Sequence, residues 1–275
     1  MASRYWDEKL AERYRAFHYE FPEQALRGRI VVVAGGTGGL GAATVTLLAR
    51  EGAQLVVGYR ANRPRAEALR RELGKQFYAT LRLVEGDVAL PEVRRAYVDA
   101  AGALGGPPSG AVIFPGDPAR VKWESVDAAA VEASLRANYV GPILLAKELG
   151  SAMEQSADGG SIVLLASMQA LAAFESSLNY AAPKAALVHA ARILARQWRR
   201  VRVNVVAPGA TVVGMAEISV TAGKYDRYLE SGAISRFGRP EDVARAVRFF
   251  LEPNGYTTGQ VLLVDGGLTL RRDRG

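Results

Sequence analysis

The chain has 275 residues, 49% of them apolar, with 35 basic against 28 acidic side chains for a net charge of +7. This composition supports a large core and excludes a disordered chain. The lack of cysteine excludes a disulfide framework, a thiolate metal site and a cysteine nucleophile, and fits a reducing cytoplasm.

Residues 1–27 stand apart. Trp6, Leu10, Tyr14, Phe17 and Phe21 recur at roughly helical spacing, which predicts an amphipathic helical extension packed on this subunit or a neighbour. The segment is charged and lacks the apolar stretch of a signal peptide. No later run reaches the roughly 18 apolar residues of a membrane span. Basic residues are scattered in short clusters such as Arg70-Arg71, so a nucleic-acid partner is not expected. Residues 28–275 read as a single domain. Strands are predicted over Ile30–Ala34, Gln54–Tyr59, Leu81–Glu85, Ala111–Phe114, Ser161–Ala166, Val201–Val206 and Gln260–Val264. Helices are predicted over Leu40–Arg50, Arg65–Gln76, Pro91–Ala101, Asp127–Met153, Tyr180–Gln197 and Pro240–Leu251. Most of the strands are apolar almost throughout, as strands buried on both faces of a parallel sheet are. The alternation predicts an α/β fold: a doubly wound, three-layer arrangement with a seven-stranded parallel sheet flanked by helices. The stretch Ala210–Arg236, with Gly214, Gly223 and Gly232, is poor in regular patterns and reads as a lid or a long connection.

The first strand runs into Gly35-Gly-Thr-Gly-Gly-Leu-Gly41 and then a helix. Glycines allow a tight turn and a close backbone approach to a pyrophosphate, and the helix start offers unpaired N–H groups. Two spacings overlap: Gly36, Gly38 and Gly41 fit G-x-G-x-x-G, while Gly35, Gly39 and Gly41 fit G-x-x-x-G-x-G. The glycines alone do not choose between them. Gly35, Thr37, Gly38, Gly39 and Leu40 are the candidate dinucleotide contacts of this turn. The second strand ends at Gly58-Tyr59-Arg60. An acid near this point suits the ribose 2′-hydroxyl of NAD, whereas an arginine suits the 2′-phosphate of NADP. Arg60, helped by Asn62 and Arg63, therefore points to NADP(H) rather than NAD(H).

Tyr180 and Lys184 stand four residues apart at the start of an apolar helix and so share a face. A nearby ammonium favours a phenolate and lowers its pKa from about 10. Pro183 fits if it lies in the helix's first turn. The only histidines, His18 and His189, form no ligand-spaced pair, so no metal or Ser-His-Asp site is expected; His189 reads as a helix-packing residue.

Other residues complete a resemblance. Ser167 ends the fifth strand, Asn138 lies in Asn138-Tyr-Val-Gly141, Pro208-Gly209 follow the sixth strand and Asp265-Gly266-Gly267 the seventh. With the glycine turn and the Tyr180–Lys184 pair, the sequence over about residues 27–270 resembles the short-chain dehydrogenase/reductase family, and 3-oxoacyl reductases within it. The resemblance favours Gly35, Gly39 and Gly41 as the glycine set and implies a Rossmann fold. It implies a catalytic tetrad in which Tyr180 exchanges the substrate proton, Lys184 lowers the tyrosine pKa and holds the nicotinamide ribose, Ser167 binds the substrate oxygen and Asn138 holds a water. It places Asp87 and Val88 near the adenine, and Gly116, Pro208, Gly209 and Thr211 near the rest of the dinucleotide. Met168, Gln169, Phe174 and Met215 become candidate pocket residues. The resemblance implies a homo-oligomer, dimer or tetramer, using the helices at 127–153 and 180–197. Three departures stand out: Ala34 for a threonine, Ile113-Phe114-Pro115-Gly116 for Asn-Asn-Ala-Gly, and Val213 for a threonine. The expected function is NADPH-dependent hydride transfer to a small carbonyl or from a secondary alcohol. An NADP(H)-binding sensor or scaffold is the alternative, and an epimerase would need a larger C-terminal region.

Overall fold

The computed structural model describes residues 8–16, 23–175 and 177–271. Seven strands form one sheet: β1 (Ile30–Ala34), β2 (Gln54–Tyr59), β3 (Leu81–Glu85), β4 (Gly110–Ile113), β5 (Gly160–Leu165), β6 (Val201–Pro208) and β7 (Val261–Val264). Their order is β3-β2-β1-β4-β5-β6-β7, with every neighbouring pair parallel. The winding reverses between β1 and β4, and ligands of open α/β sheets bind beyond the strand C-terminal ends at such a reversal. The helices in chain order are α1 (Glu8–Arg15), α2 (Gly39–Arg50), α3 (Arg63–Phe77), α4 (Pro91–Gly102), α5 (Ala128–Leu135), α6 (Gly141–Gln155), α7 (Leu178–Gln197), α8 (Glu217–Thr221), α9 (Asp226–Glu230), α10 (Pro240–Phe250) and α11 (Leu268–Arg271).

The apolar strands are explained by two cores. Ile30, Val32 and Ala34 of β1 face one side, where they meet Leu145 and Leu149 of α6, Leu187 of α7 and Tyr97 of α4. Val31 and Val33 face the other, against Val45 and Leu48 of α2, Leu73 of α3 and Val247 and Phe250 of α10. A period of two along each strand thus feeds both cores. Burying each large apolar side chain contributes about 1.5–3 kcal/mol. The buried polar exceptions on inner strands, Ser161 of β5 and Asn204 of β6, donate to the Phe250 and Thr257 carbonyls. At the edge, β3 is only partly covered: Leu81 and Val84 are buried on opposite faces, while Arg82 and Glu85 are exposed. Leu26 packs into the second core, so the segment before β1 is anchored from that point.

Three expectations need correcting. The helix predicted over 127–153 is broken: α5 ends at Leu135, a π-turn occupies Arg136–Val140, and α6 restarts at Gly141. The Gly141 amide reaches back to the Arg136 carbonyl, a five-residue step that inserts one extra residue into the turn. Pro142 has no N–H with which to continue an α-helical ladder there. Second, α7 begins at Leu178, so Pro183 is its sixth residue and lies beyond the first turn. Third, the Ala210–Arg236 stretch contains a 3-10 turn at Gly214–Ala216 followed by α8 and α9. The predicted N-terminal helix is present as α1, while Trp6, Phe17 and Phe21 lie outside the described residues. His189 is exposed on α7 rather than packed.

Candidate active site

The glycine turn leaves β1 with Gly35 in the left-handed region at φ +72° and enters α2 at Gly39. A Cβ on Gly41 would lie 2.3 Å from the Gly35 carbonyl oxygen, and one on Gly39 would lie 2.8 Å from Cβ of Val213. A Cβ on Gly36 would meet Val57 and Val45 inside 3 Å. Gly38 is exposed, and the nearest atom to a Cβ there is 3.6 Å away. The steric requirement therefore falls on Gly35, Gly36, Gly39 and Gly41. Thr37 is buried, and Leu40 approaches Gly214. Val213, the departure from threonine, lies directly over Gly39.

At the end of β2, Arg60 is exposed and makes no hydrogen bond or ion pair with the described residues. Its predicted helpers are engaged. Asn62 caps α3 by accepting from the Arg65 amide at 3.1 Å. Arg63 is paired with Glu85 at 2.6 Å, and the Tyr59 hydroxyl donates to the same carboxylate at 3.0 Å. Arg65, which sequence reasoning passed over, donates from Nε to the Thr37 carbonyl at 2.6 Å. It is the third residue of α3, three beyond the cap, where no motif marks it. Asp87 follows β3 and accepts from the Ala89 amide at 2.8 Å; its neighbour Val88 is buried. The Val88 carbonyl accepts from buried Arg94, which also pairs with Glu148 of α6 at 2.6 Å.

The four residues expected to form a tetrad lie together beyond the C-terminal ends of β4 and β5. Ser167 follows β5 in extended backbone and accepts from the Gln169 amide at 3.2 Å. Tyr180 is the third residue of α7. One turn on, Lys184 is 1% exposed, its Nζ 5.9 Å from the Tyr180 ring centroid and 3.0 Å from the Leu165 carbonyl that accepts from it. Asn138 sits in the π-turn, fully buried. Its Nδ2 donates to the Asp117 carbonyl at 3.0 Å and its Oδ1 accepts from the Asp117 amide at 3.1 Å. Gly116 fits between the two: a Cβ there would lie 2.7 Å from Asn138 Oδ1 and 3.0 Å from Lys184 Nζ. The single glycine that survives in the departed Ile113–Gly116 motif is thus the one these two side chains enclose.

The electrostatics differ from expectation. Burial pushes the Tyr180 phenol up, nearby Tyr225 adds to the rise, and Ser167 offsets only part of it. Burial pulls Lys184 down to about 8. In this chain by itself the ammonium acts on the Leu165 carbonyl, and desolvation outweighs any lowering of the phenol.

Tyr180 and Ser167 open into a cavity of about 700 Å³. Met168, Gln169, Phe174 and Met215 all line it, as do Pro208 and Gly209. Thr211 is buried and donates to the Val213 carbonyl at 3.1 Å, so its hydroxyl serves the fold of that segment. Arg120, Lys224, Tyr225 and Arg227 also line the cavity. They come from connections without periodicity, and nothing in the sequence flagged them. Among the described residues no helix is long and apolar enough to cross a membrane.

A family profile described as enoyl-(acyl carrier protein) reductase matches residues 34–269. Carbonyl reductase family member 4 of Danio rerio is 33% identical over 249 residues, covering 88% of this chain and 98% of that protein. The 3-oxoacyl-(acyl-carrier-protein) reductase of Homo sapiens is 34% identical over 250 residues, with the same coverage of 88% and 98%. Among solved structures, levodione reductase superposes with a TM-score of 0.82 at 26% identity, covering 89% of this chain and 99% of its own. A short-chain type dehydrogenase/reductase from Mycobacterium ulcerans gives 0.82 at 27% identity, over 89% and 91%. With its parallel seven-stranded sheet, its glycine turn and these relatives spanning nearly its whole length, the chain belongs to the short-chain dehydrogenase/reductase family of oxidoreductases.

Proposed function

We propose that the chain is an NADP(H)-dependent oxidoreductase that interconverts a small ketone or 3-oxoacyl compound and the secondary alcohol. The observation that carries this reading is Tyr180 at the wall of a 700 Å³ cavity, with Ser167 beside it and Lys184 one helical turn behind. The glycine turn fits a dinucleotide. Gly39 and Gly41 let strand, turn and helix pack closely, and exposed Gly38 leads directly into α2, whose first-turn amides suit an anion. Gly35, Thr37, Gly38, Gly39, Leu40 and Arg60 would hold the cofactor at that end, with Asp87, Val88 and Gly116 along its path and Pro208, Gly209 and Thr211 at the far end. Asn62 joins them only through the helix cap it makes beside Arg60. When bound, the nicotinamide supplies or takes up the hydride.

The chain's own residues handle the proton. Tyr180 gives its hydroxyl proton to the substrate oxygen on reduction and takes it back on oxidation. Ser167 hydrogen-bonds the same oxygen and stabilises the charge that develops on it. Lys184, buried and cationic below its pKa of about 8, supplies the positive charge that a departing phenol proton requires. Asn138 and Gly116 hold the space beside that ammonium. No observation favours the sensor reading, because the departed motif keeps the glycine its surroundings need. The helices at 128–155 and 178–197 leave Val131, Leu135, Leu178 and Ile193 exposed, which supports self-association. The test is Tyr180→Phe: NADPH affinity is expected to stay within about twofold while turnover of a ketone panel falls by about 10²–10⁴-fold. A variant that keeps most of its turnover removes Tyr180 from the chemistry.

A further inference from the structure

We propose that the cavity takes a carbonyl compound that carries an anionic group, gripped at its outer end by Arg120. The inference rests on the reading of Tyr180 above for the identity of the reacting end. Among the described residues three cationic side chains line the cavity, Arg120, Lys224 and Arg227, against one acid, Glu175. They come from two separate parts of the chain. Arg120 belongs to the connection after β4, and Lys224 and Arg227 to the connection after β6. None of the three forms an ion pair with a described residue.

Arg120 is oriented rather than adrift. Its Nη2 donates to the carbonyl of Met215, which also lines the cavity, at 2.5 Å. A guanidinium has five N–H donors, so this bond fixes the group and leaves most of its donors for a ligand. Arg227 is held on Tyr228, 4.7 Å from its ring centroid and with Nη2 2.7 Å from its hydroxyl. Arg120 acts on buried Tyr225, and Tyr225 in turn acts on Tyr180. Arg120, Tyr225 and Tyr180 line one cavity, so the cation and the proton donor face the same space.

These cations do not serve the dinucleotide phosphates. No residue of the glycine turn at 35–41 lines the cavity, and Arg60 and Arg65 already stand at that end. The rest of the lining is mixed, with Met168, Phe174 and Met215 beside Gln169, Ser177 and Ser219. The arrangement suits a short ketone with its carbonyl at Tyr180 and a carboxylate or phosphate at Arg120.

Matched pairs test this: 4-oxopentanoate against its methyl ester, and hydroxyacetone phosphate against hydroxyacetone. Calorimetric Kd values on the NADP-loaded full-length protein give a readout that needs no turnover, and kcat/KM with NADPH follows. At least one anion is expected to bind about 10- to 100-fold more tightly than its neutral partner, as a charge-assisted contact does. The pair that shows the preference identifies carboxylate or phosphate. In Arg120→Ala the ratio should collapse toward one, in Arg120→Lys part of it should survive, and rising ionic strength should shrink it. Equal binding within both pairs, no binding of either anion, or a ratio untouched by Arg120→Ala overturns the proposal. Neutral ketones reduced as well as the anions would overturn it while leaving the role of Tyr180 standing. Tight anion binding without any NADPH oxidation would do the reverse.

Discussion

The Ser134 hydroxyl of α5 donates to the Asn179 carbonyl of α7, and Pro183 is the reason that carbonyl is available. In an α-helix the Asn179 oxygen would accept from the amide four residues on, and proline has none. Ser134 fills the gap and in turn accepts from Asn138 Nδ2 at 3.2 Å. The proline inside α7 is thereby linked to the orientation of a tetrad side chain on another element.

Removing the hydroxyl should expose this link. Ser134→Ala leaves a buried carbonyl without a donor and is expected to cost about 1–3 kcal/mol. It should also lower kcat by up to about tenfold as Asn138 loses an acceptor. Adding Pro183→Ala restores a helical N–H to Asn179. The double variant should then be less destabilised than the sum of the single changes by about 0.5–1 kcal/mol, measured by denaturant unfolding. Simple additivity would contradict the link.

The glycine turn makes a prediction free of any ligand. Gly41→Ala drives a Cβ into the Gly35 carbonyl, 2.3 Å away, whereas Gly38→Ala meets nothing closer than 3.6 Å. Thermal unfolding of the unliganded protein should show a loss of about 2 kcal/mol or more for the first and under about 0.5 kcal/mol for the second.

Arg60 is the one arginine of its stretch with no partner among the described residues, since Arg63 is held by Glu85 and Arg65 by Thr37. Arg60→Ala should reduce the kcat/KM ratio of NADPH over NADH by about tenfold or more. Arg63→Ala should change that ratio little. A wild-type ratio below one would refute the NADP assignment at its root.

Lys184 carries a stability cost. Its folded pKa of about 8 lies below the ordinary 10.5, so between these values the unfolded chain binds more protons than the folded one. Stability should therefore rise as pH climbs from 8 to 10.5, with the burial cost present in full below 8. Lys184→Met should abolish turnover and flatten this rise. It should also raise Tm at neutral pH by about 2–5 °C, because a buried unpaired cation is replaced by an apolar chain of similar length.

Much of this was legible in the residues. β1 begins and ends where its apolar run does, because a strand buried on both faces writes itself as unbroken Val, Ile and Ala, while the edge strand β3 was legible despite its exposed Arg82 and Glu85. Tyr180 and Lys184 share a helix face as their spacing implied, whereas Ser167 and Asn138 were joined to them only by the family resemblance. The π-turn at Asn138 was missed because apolar periodicity does not register one inserted residue. Gly141-Pro142 within a helical run was the available signal, since proline interrupts the ladder it sits in. The cationic wall of the cavity was out of reach for another reason. Arg120 and Tyr225 are brought together by two irregular connections, and neither connection carries a pattern that fixes where its side chains point.

Three consecutive residues touch both ends of the site. Val213 rests on Gly39 of the dinucleotide turn, Gly214 adjoins Leu40, and the Met215 carbonyl accepts from Arg120. A displacement of this short tether at one end is carried to the other within about 10 Å of chain. Affinities for the two ligands are then linked, and linkage is reciprocal: whatever factor the dinucleotide adds to substrate binding, the substrate returns to the dinucleotide.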